Sequence, residues 1–600
     1  MAEIKRIPSR NEISEKDKWA INDIYKDDEA WLDDLKKAKS FPERIAQFRG
    51  KLSESSQFLF DFMKLNEDMA VVLDSLANYA QRKSDEDTKV TKYQDFTGRI
   101  ETLSVDLGSV SSFAAPEICS IENDTLEQFY KTLPELELYR KHIDNIRKSK
   151  EHILSENEEK IISLAGEMSS APENIYSMFN DADLEFPDVK DSDENEHELT
   201  HGSFISLMHS SDRILRKNAF ETLYGVYGQY RNTSAAMLSS QVKTLMFRAK
   251  ARKYESTLHA SLDASDVPVQ VYHSLINAVH ENMEYMHKYV RLRKKLMKLD
   301  ELHMYDLYVP IVNEAVVDIS YEDAKKNVAE SVKPLGEMYG KILNEGFEKN
   351  WIDVYENKNK RSGAYSAGAR VHPFVLLNYK DNLDSEFTLA HEMGHAIHSY
   401  LSNKNQPVVY SNYVIFVAEV ASTCNESLLM QYLLKKTDDK IQRAYLINYF
   451  LEQFRTTLYR QAMFAEFELK INQIAESGEG LTSDRLCEIY KDLNKLYFGD
   501  DIVIDEEIAL EWARIPHFYY DYYVYQYATG YSAAIALSRK ILAEGQPAVD
   551  KYLAFLSGGC SEDPITLLKN AGVDMTTSQP VSEALKLFDE LIDEMEELLG

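Results

Sequence analysis

Apolar residues recur at three- and four-residue steps over most of the first 180 positions, with charges in the gaps, as in FLFDFMKLNEDMAVVLDSLANYAQRKSDED (58–87). That period marks consecutive amphipathic helices. It breaks at DLEFPDVKDSDENEHELTHGSF (183–204), where two short alternating pieces flank an acidic, turn-forming run. This predicts a β-hairpin with an exposed tip, and a division of the chain there into an N-terminal helical domain, 1–200, and a second domain, 201–600. Helical patterning resumes near 210 and lasts to about 350, broken at LDASDVP (262–268), where Asp and Pro mark a new helix start. RSGAYSAGARVHPFVLLNY (361–379) reads as a flexible loop followed by a strand over Phe374 to Leu377. A helix is predicted from Asp384 to about residue 402, capped by Asp384 or Ser385, with Glu386 at its positive end. Another follows at YVIFVAEVASTCNESLLMQYLLKK (413–436). YYVYQYATGYSAAIALS (522–538) reads as a buried helix lining a polar cavity, and SEALKLFDELIDEMEELL (582–599) as an amphipathic helix packed on its own chain.

Composition supports a mostly α protein. The chain has 600 residues but only 22 Gly and 15 Pro, too few for the many turns of an all-β fold. A formal charge of −31 argues against nucleic acid as a partner, because phosphates repel an acidic surface. The longest uncharged stretch, 522–538, is too rich in Tyr, Ser, Thr and Gln for a membrane span. MAEIKRIPSRNEISEKDKW is charged throughout and holds no signal-peptide core. Four scattered cysteines, Cys119, Cys424, Cys487 and Cys560, fit reduced thiols. A soluble, cytoplasmic protein, monomer or homodimer, is expected.

TLAHEMGHAIHSY (388–400) changes the picture. His391 and His395, four apart on a helix, project from one face and can reach one zinc ion. Glu392 lies about 100° round the helix, beside the metal and within reach of a water that zinc acidifies. With 15 His and 99 Asp plus Glu, chance matches to H-E-x-x-H number at most about 0.06. Leu389, Met393 and Ile397 surround the imidazoles, so the cluster is expected to be buried and to need a partner such as a metal. Gly394 costs the helix about 1 kcal/mol relative to Ala, which suggests close approach of another backbone or of substrate. The third ligand must come from elsewhere, since the position three after His395 is His398, not the Gly of the longer zinc motif. Glu419, in an apolar setting, is the best candidate; Glu426 is the alternative, better suited to hydrogen-bonding a ligand histidine. His398 reads as structural or as a support to the ligands.

EWARIPHFYYDYYVYQYATGYSAA (511–534) packs seven tyrosines between Tyr519 and Tyr531. Most would fill a core. An attacked carbonyl, however, develops an oxyanion that Tyr hydroxyls and a His N–H can stabilise. Tyr523 and Tyr527, four apart, are expected on one helix face, with His517 just before them.

Together HEMGHAIHS (391–399), FVAEVAS (416–422), PFVLLNY (373–379), YFGDDI (497–502) and EWARIPHFYYDYYVYQYATG (511–530) resemble the zinc oligopeptidase family typified by thimet oligopeptidase. HELTHGSF (197–204) and YDLYVP (305–310) extend the match. Within the family the chain is most similar to the bacterial oligoendopeptidase F group. The resemblance implies a nearly all-helical, two-lobed fold with a deep central channel, a small sheet or hairpin beside the active site, and one Zn2+ per chain. It also implies short peptide substrates and no membrane or nucleic-acid partner. His391, His395 and Glu419 would be the zinc ligands and Glu392 the general base. His517, Tyr523 and Tyr527 would bind substrate, and the strand at 373–379 would pair with its backbone. The spacing from His517 to the tyrosine pair is one residue longer than in thimet oligopeptidase, so Tyr520, Tyr522 and Tyr525 are alternatives. FYYDY also replaces the family's Gly-rich loop. Two rival readings are an exopeptidase, with Arg514 or Arg370 anchoring a peptide terminus, and a catalytically silent peptide-binding protein.

Overall fold

The computed structural model describes residues 6–312 and 318–600. It is predominantly helical, with two small sheets. By contacts the described residues divide into two compact units, each assembled from three segments: 6–153, 318–432 and 537–572 form the first, and 154–312, 433–536 and 573–600 the second. The division expected at residue 200 follows chain order, whereas these units interleave along the chain.

In the first unit the 58–87 pattern forms a helix, Ser56–Glu86, started by Ser55, whose side chain accepts the Phe58 N–H at 3.2 Å. Its apolar face joins Trp31, stacked on Phe96 at 3.8 Å, and a core that reaches Phe374 and Leu376 of the sheet. The sheet has three strands: β3 (Ile352–Asp353), β4 (Tyr365–Ala367) and β5 (Phe374–Leu376), in the order β3-β5-β4. β4 lies inside the stretch expected to be a loop. Its small residues carry little β signal, and the antiparallel pairing with β5 makes it a strand.

β5 is therefore central. The N–H groups of Val375 in β5 and of Leu377 and Tyr379 just after it donate to Trp351, Asp353 and Val354 carbonyls at 2.8, 2.8 and 2.9 Å, and the other side of β5 pairs with β4. The expected pairing of a substrate backbone with 373–379 does not fit, because strand addition needs an unpaired edge. Since Val375 faces β3, Phe374 and Leu376 face β4, opposite Ala367 and Tyr365. Alternation then turns the Ser366 N–H and C=O to the outer edge.

In the second unit the expected hairpin forms from β1 (Val189–Lys190) and β2 (Glu196–His197), antiparallel, with Asp191 accepting the Asp193 and Asn195 N–H groups, each at 2.9 Å, in the tip. The C-terminal helix Gln579–Leu599 buries Leu585, Phe588, Ile592 and Met595 against helices Val269–Glu281, Met283–Leu296 and Lys440–Gln453 of its own chain, as expected. All four cysteines are free thiols. Among the described residues no helix is long and apolar enough to cross a membrane.

Candidate metal centre and the His-Tyr cluster

The helix carrying the two histidines runs Leu383–Asn405. Asn382, not Asp384 or Ser385, is its N-cap: its side chain accepts the Ser385 N–H at 2.9 Å. Asp384 and Glu386 lie in the first turn, and Glu386 is buried, bonded by Asn327 Nδ2 at 2.7 Å. The expected burial of Leu389, Met393 and Ile397 is complete.

A second helix, Ile415–Lys436, crosses it at Gly394. A Cβ at that position would meet Ser422 Cα at 2.6 Å, Ala421 O at 2.8 Å and Ser422 N at 2.9 Å. The close approach suggested by this glycine is thus to another backbone. Asn425 secures the crossing by donating to Ala390 O at 3.1 Å while accepting from Tyr339 Oη at 2.8 Å.

The crossing brings Glu419 to the histidines. His391 Nε2 and His395 Nε2 lie 3.4 and 3.6 Å from Glu419 Oε2, and one donor atom from each residue falls within 4.8 Å of the others. Donors about 2.1 Å from a shared tetrahedral ion sit about 3.4 Å apart, so this set suits one. Ser422 Oγ donates to Glu419 Oε2 at 3.2 Å and helps aim it. Glu426 hydrogen-bonds His391 Nδ1, which leaves Nε2 as the nitrogen free to ligate.

Charge balance points the same way. Burial opposes a charged His391, yet Glu426, Glu392 and Glu419 push it up to about 9. Burial, with His391 and His398 nearby, holds His395 well below the usual histidine range. Three carboxylates, Glu392 buried and Glu419 and Glu426 half-buried, thus lie around the two imidazoles, a donor set whose negative charge a dication would balance. Burial, reinforced by Glu419 and Glu426, pushes Glu392 up to about 7, and its Oε2 has no hydrogen-bond partner among the described residues.

His398 stays outside the donor group. It is buried, stacked on Tyr413 at 3.8 Å, and burial alone drops it to about 3. The roles of Tyr413 and Asn425 escaped sequence reasoning, because an aromatic in the loop before a helix, or an amide inside one, carries no spacing signal.

The second unit holds the other candidates. His517 is the second residue of a short 3-10 turn, Pro516–Tyr519. Its ring lies 6.3 Å from Tyr523 and 5.9 Å from Tyr527, the two tyrosines are 5.4 Å apart, and Tyr527 Oη is 3.5 Å from His517 Nε2. The three come together, but Tyr523 and Tyr527 do not share a helix, which begins only at Tyr525. Among the alternatives, Tyr522 and Tyr525 are buried against Tyr272, 5.6 and 5.0 Å away; Tyr520, half exposed, joins His517 at 5.7 Å. Burial, helped by Arg460, lowers the His517 pKa and favours its neutral form.

Neither candidate anchor is a free surface arginine. Arg514 is largely buried, 4.0 Å from Glu511 and 5.0 Å over the Phe204 ring, and Arg370 donates to Ser411 Oγ at 2.9 Å.

Comparison with known proteins places the chain. Residues 206–587 match Peptidase family M3, and 117–186 match its Oligopeptidase F N-terminal part. Over 603 aligned residues the chain is 48% identical to Oligopeptidase PepF of Bacillus subtilis, covering 100% of this chain and 90% of that protein. It is 38% identical to Group B oligopeptidase PepB of Streptococcus agalactiae, covering 99% and 98%. The crystal structure of a peptidase from Chlamydophila abortus aligns with TM-score 0.92 at 34% identity, covering 99% of this chain and 100% of that one. That of oligoendopeptidase-F from Enterococcus faecium aligns at 0.75 and 35%, covering 95% and 99%. With the family matched along most of its length, this chain belongs to peptidase family M3, carries the oligopeptidase F N-terminal part, and is a metalloendopeptidase.

Proposed function

We propose that the chain is a zinc endopeptidase cleaving internal bonds of short, unstructured oligopeptides. His391, His395 and Glu419 hold one zinc, and Glu392 is the general base. The observation that carries this reading is the half-buried group of three donors, His391, His395 and Glu419, with buried Glu392 beside it. Family membership implies a metal; the two-His, one-Glu set favours zinc among the candidates. The relatives named oligopeptidase support short substrates.

When bound, zinc supplies Lewis acidity, drawing the pKa of water toward 7 and polarising a carbonyl. Glu392 takes one proton from the attacking water as its oxygen bonds to the carbonyl carbon. It returns that proton to the amine nitrogen as the C–N bond breaks. Glu426 keeps His391 oriented through Nδ1. His517, Tyr523 and Tyr527 donate hydrogen bonds to the substrate and its developing oxyanion. Ser366, on the free edge of β4, offers an N–H and C=O to an extended peptide.

The test is hydrolysis of an internally quenched peptide of about ten residues, blocked at both ends, run as purified, after chelation and after zinc is restored. Internal cleavage lost with the chelator and regained with zinc supports the proposal. Zinc-dependent cleavage only of peptides with free ends would turn it into an exopeptidase. Binding without turnover in the zinc-loaded protein would leave a peptide-capture protein.

A further inference from the structure

Between His517 and the helix Tyr525–Glu544 the chain makes a turn that few L-residues adopt. Asp521 and Tyr522 both have positive φ, +50° and +62°, and neither is glycine. Two consecutive left-handed residues, one of them aromatic, persist only where their surroundings over-determine them.

The surroundings do so from three sides. Gln241 donates through Nε2 to Tyr519 O at 3.1 Å and to Asp521 Oδ1 at 2.9 Å. Ser261 Oγ donates to Asp521 O, and Thr257 Oγ1 lies 3.0 Å from Tyr522 Oη. From the helix Arg460–Glu476, the Glu468 carboxyl accepts the Tyr522 N–H at 2.5 Å.

Glu468 is the unusual member. It is 2% exposed, and its second carboxyl oxygen has no hydrogen-bond partner among the described residues. Burial, with Asp521 nearby, pushes the carboxyl up to about 8. An apolar residue would pack there without that cost. Among the described residues the single bond that this carboxyl makes is to the backbone of the strained turn, one residue before Tyr523.

We propose that Glu468, with Gln241, is a positioning residue that locks the Asp521–Tyr522 turn and thereby sets Tyr523 against His517 and Tyr527. It touches no substrate; it acts through Tyr523. The inference rests on the role proposed above for that tyrosine.

A double-mutant cycle on the zinc-loaded full chain tests it, read with the end-blocked quenched peptide and normalised to bound zinc. Glu468→Ala is expected to lower kcat about 10- to 100-fold with KM changed less than about threefold, because small misplacements of a working group cost that much. Glu468→Gln keeps an acceptor oxygen and should stay within about threefold of wild type. Tyr523→Phe should also lower kcat, and adding Glu468→Ala to it should cost less than about threefold more. Full additivity, or a Glu468→Ala enzyme with wild-type kcat, overturns the inference while leaving Tyr523 intact. A Tyr523→Phe enzyme at wild-type rate instead overturns the reading of Tyr523 and this inference with it. Should Glu468→Ala not accumulate as folded, zinc-loaded protein, Gln241→Leu enters the same cycle with the same expected coupling.

Discussion

Gly394→Ala puts the helix crossing to a quantitative test. In an ordinary helix this change is favourable by about 1 kcal/mol, because alanine loses less backbone freedom. Here the added methyl would stand 2.6 Å from Ser422 Cα and 2.8 Å from Ala421 O, both backbone atoms that no rotamer change can move. Carbon contacts settle at about 3.5–4.0 Å, so the helices must part by about 1 Å. Overpacking of that kind costs about 3 kcal/mol, which leaves a net loss of about 2 kcal/mol. Glu419 sits one turn from Ser422, which donates a hydrogen bond to its backbone carbonyl at 3.0 Å, and would be carried along. Ligand positions tolerate only about 0.2 Å, so zinc affinity should fall more than about 100-fold. Thermal denaturation of the metal-free variant and chelator competition of the zinc form read the two effects separately. A variant more stable than wild type, with unchanged zinc affinity, would refute both the crossing and its role in aiming Glu419.

Glu392→Gln should keep zinc and lose about 10²- to 10⁴-fold in kcat; near-wild-type turnover would remove Glu392 from the role of base. Glu426→Ala leaves His391 Nδ1 unpaired, and zinc affinity measured against a chelator should drop about 10- to 100-fold. The pH dependence of stability has a definite sign at Glu468. Its carboxyl is raised in the folded state, so its contribution is full below about 4.5, the range of an unfolded Glu, and is lost as pH rises through about 8. Between pH 5 and 8 wild type should therefore lose a few kcal/mol more stability than Glu468→Gln, whose amide mimics the protonated acid; equal slopes in denaturant titrations would count against it.

Much of the candidate site was legible because the relevant order is local. A four-residue step on a helix sets His391 and His395 on one face whatever else the chain does, and an interior glycine at a cost signals a crowded neighbour. The helix itself, the hairpin at 189–197, the break before Val269 and the C-terminal amphipathic helix follow from short periodicities in the same way. The sequence also supplied Glu419 as the best ligand candidate and Glu426 as the histidine's partner, from their apolar setting and seven-residue spacing.

Other features depend on which distant segments meet. Asn382 won the cap because the backbone turn before Leu383 suited its side chain, a choice among adjacent polar residues that composition does not decide. β4 is a strand only because β5 lies beside it, and that neighbour is also why 373–379 has no free edge. Tyr523 stands outside the helix because Asp521 and Tyr522 adopt a left-handed turn, held by Gln241, Ser261 and Glu468 from up to 280 residues away in the chain. The sequence by itself determined which groups could do the chemistry, since helical spacing is a property of the local backbone. Only the tertiary structure decided how they are aimed, since hydrogen bonds and packing across the fold select among backbone conformations that the local sequence leaves open.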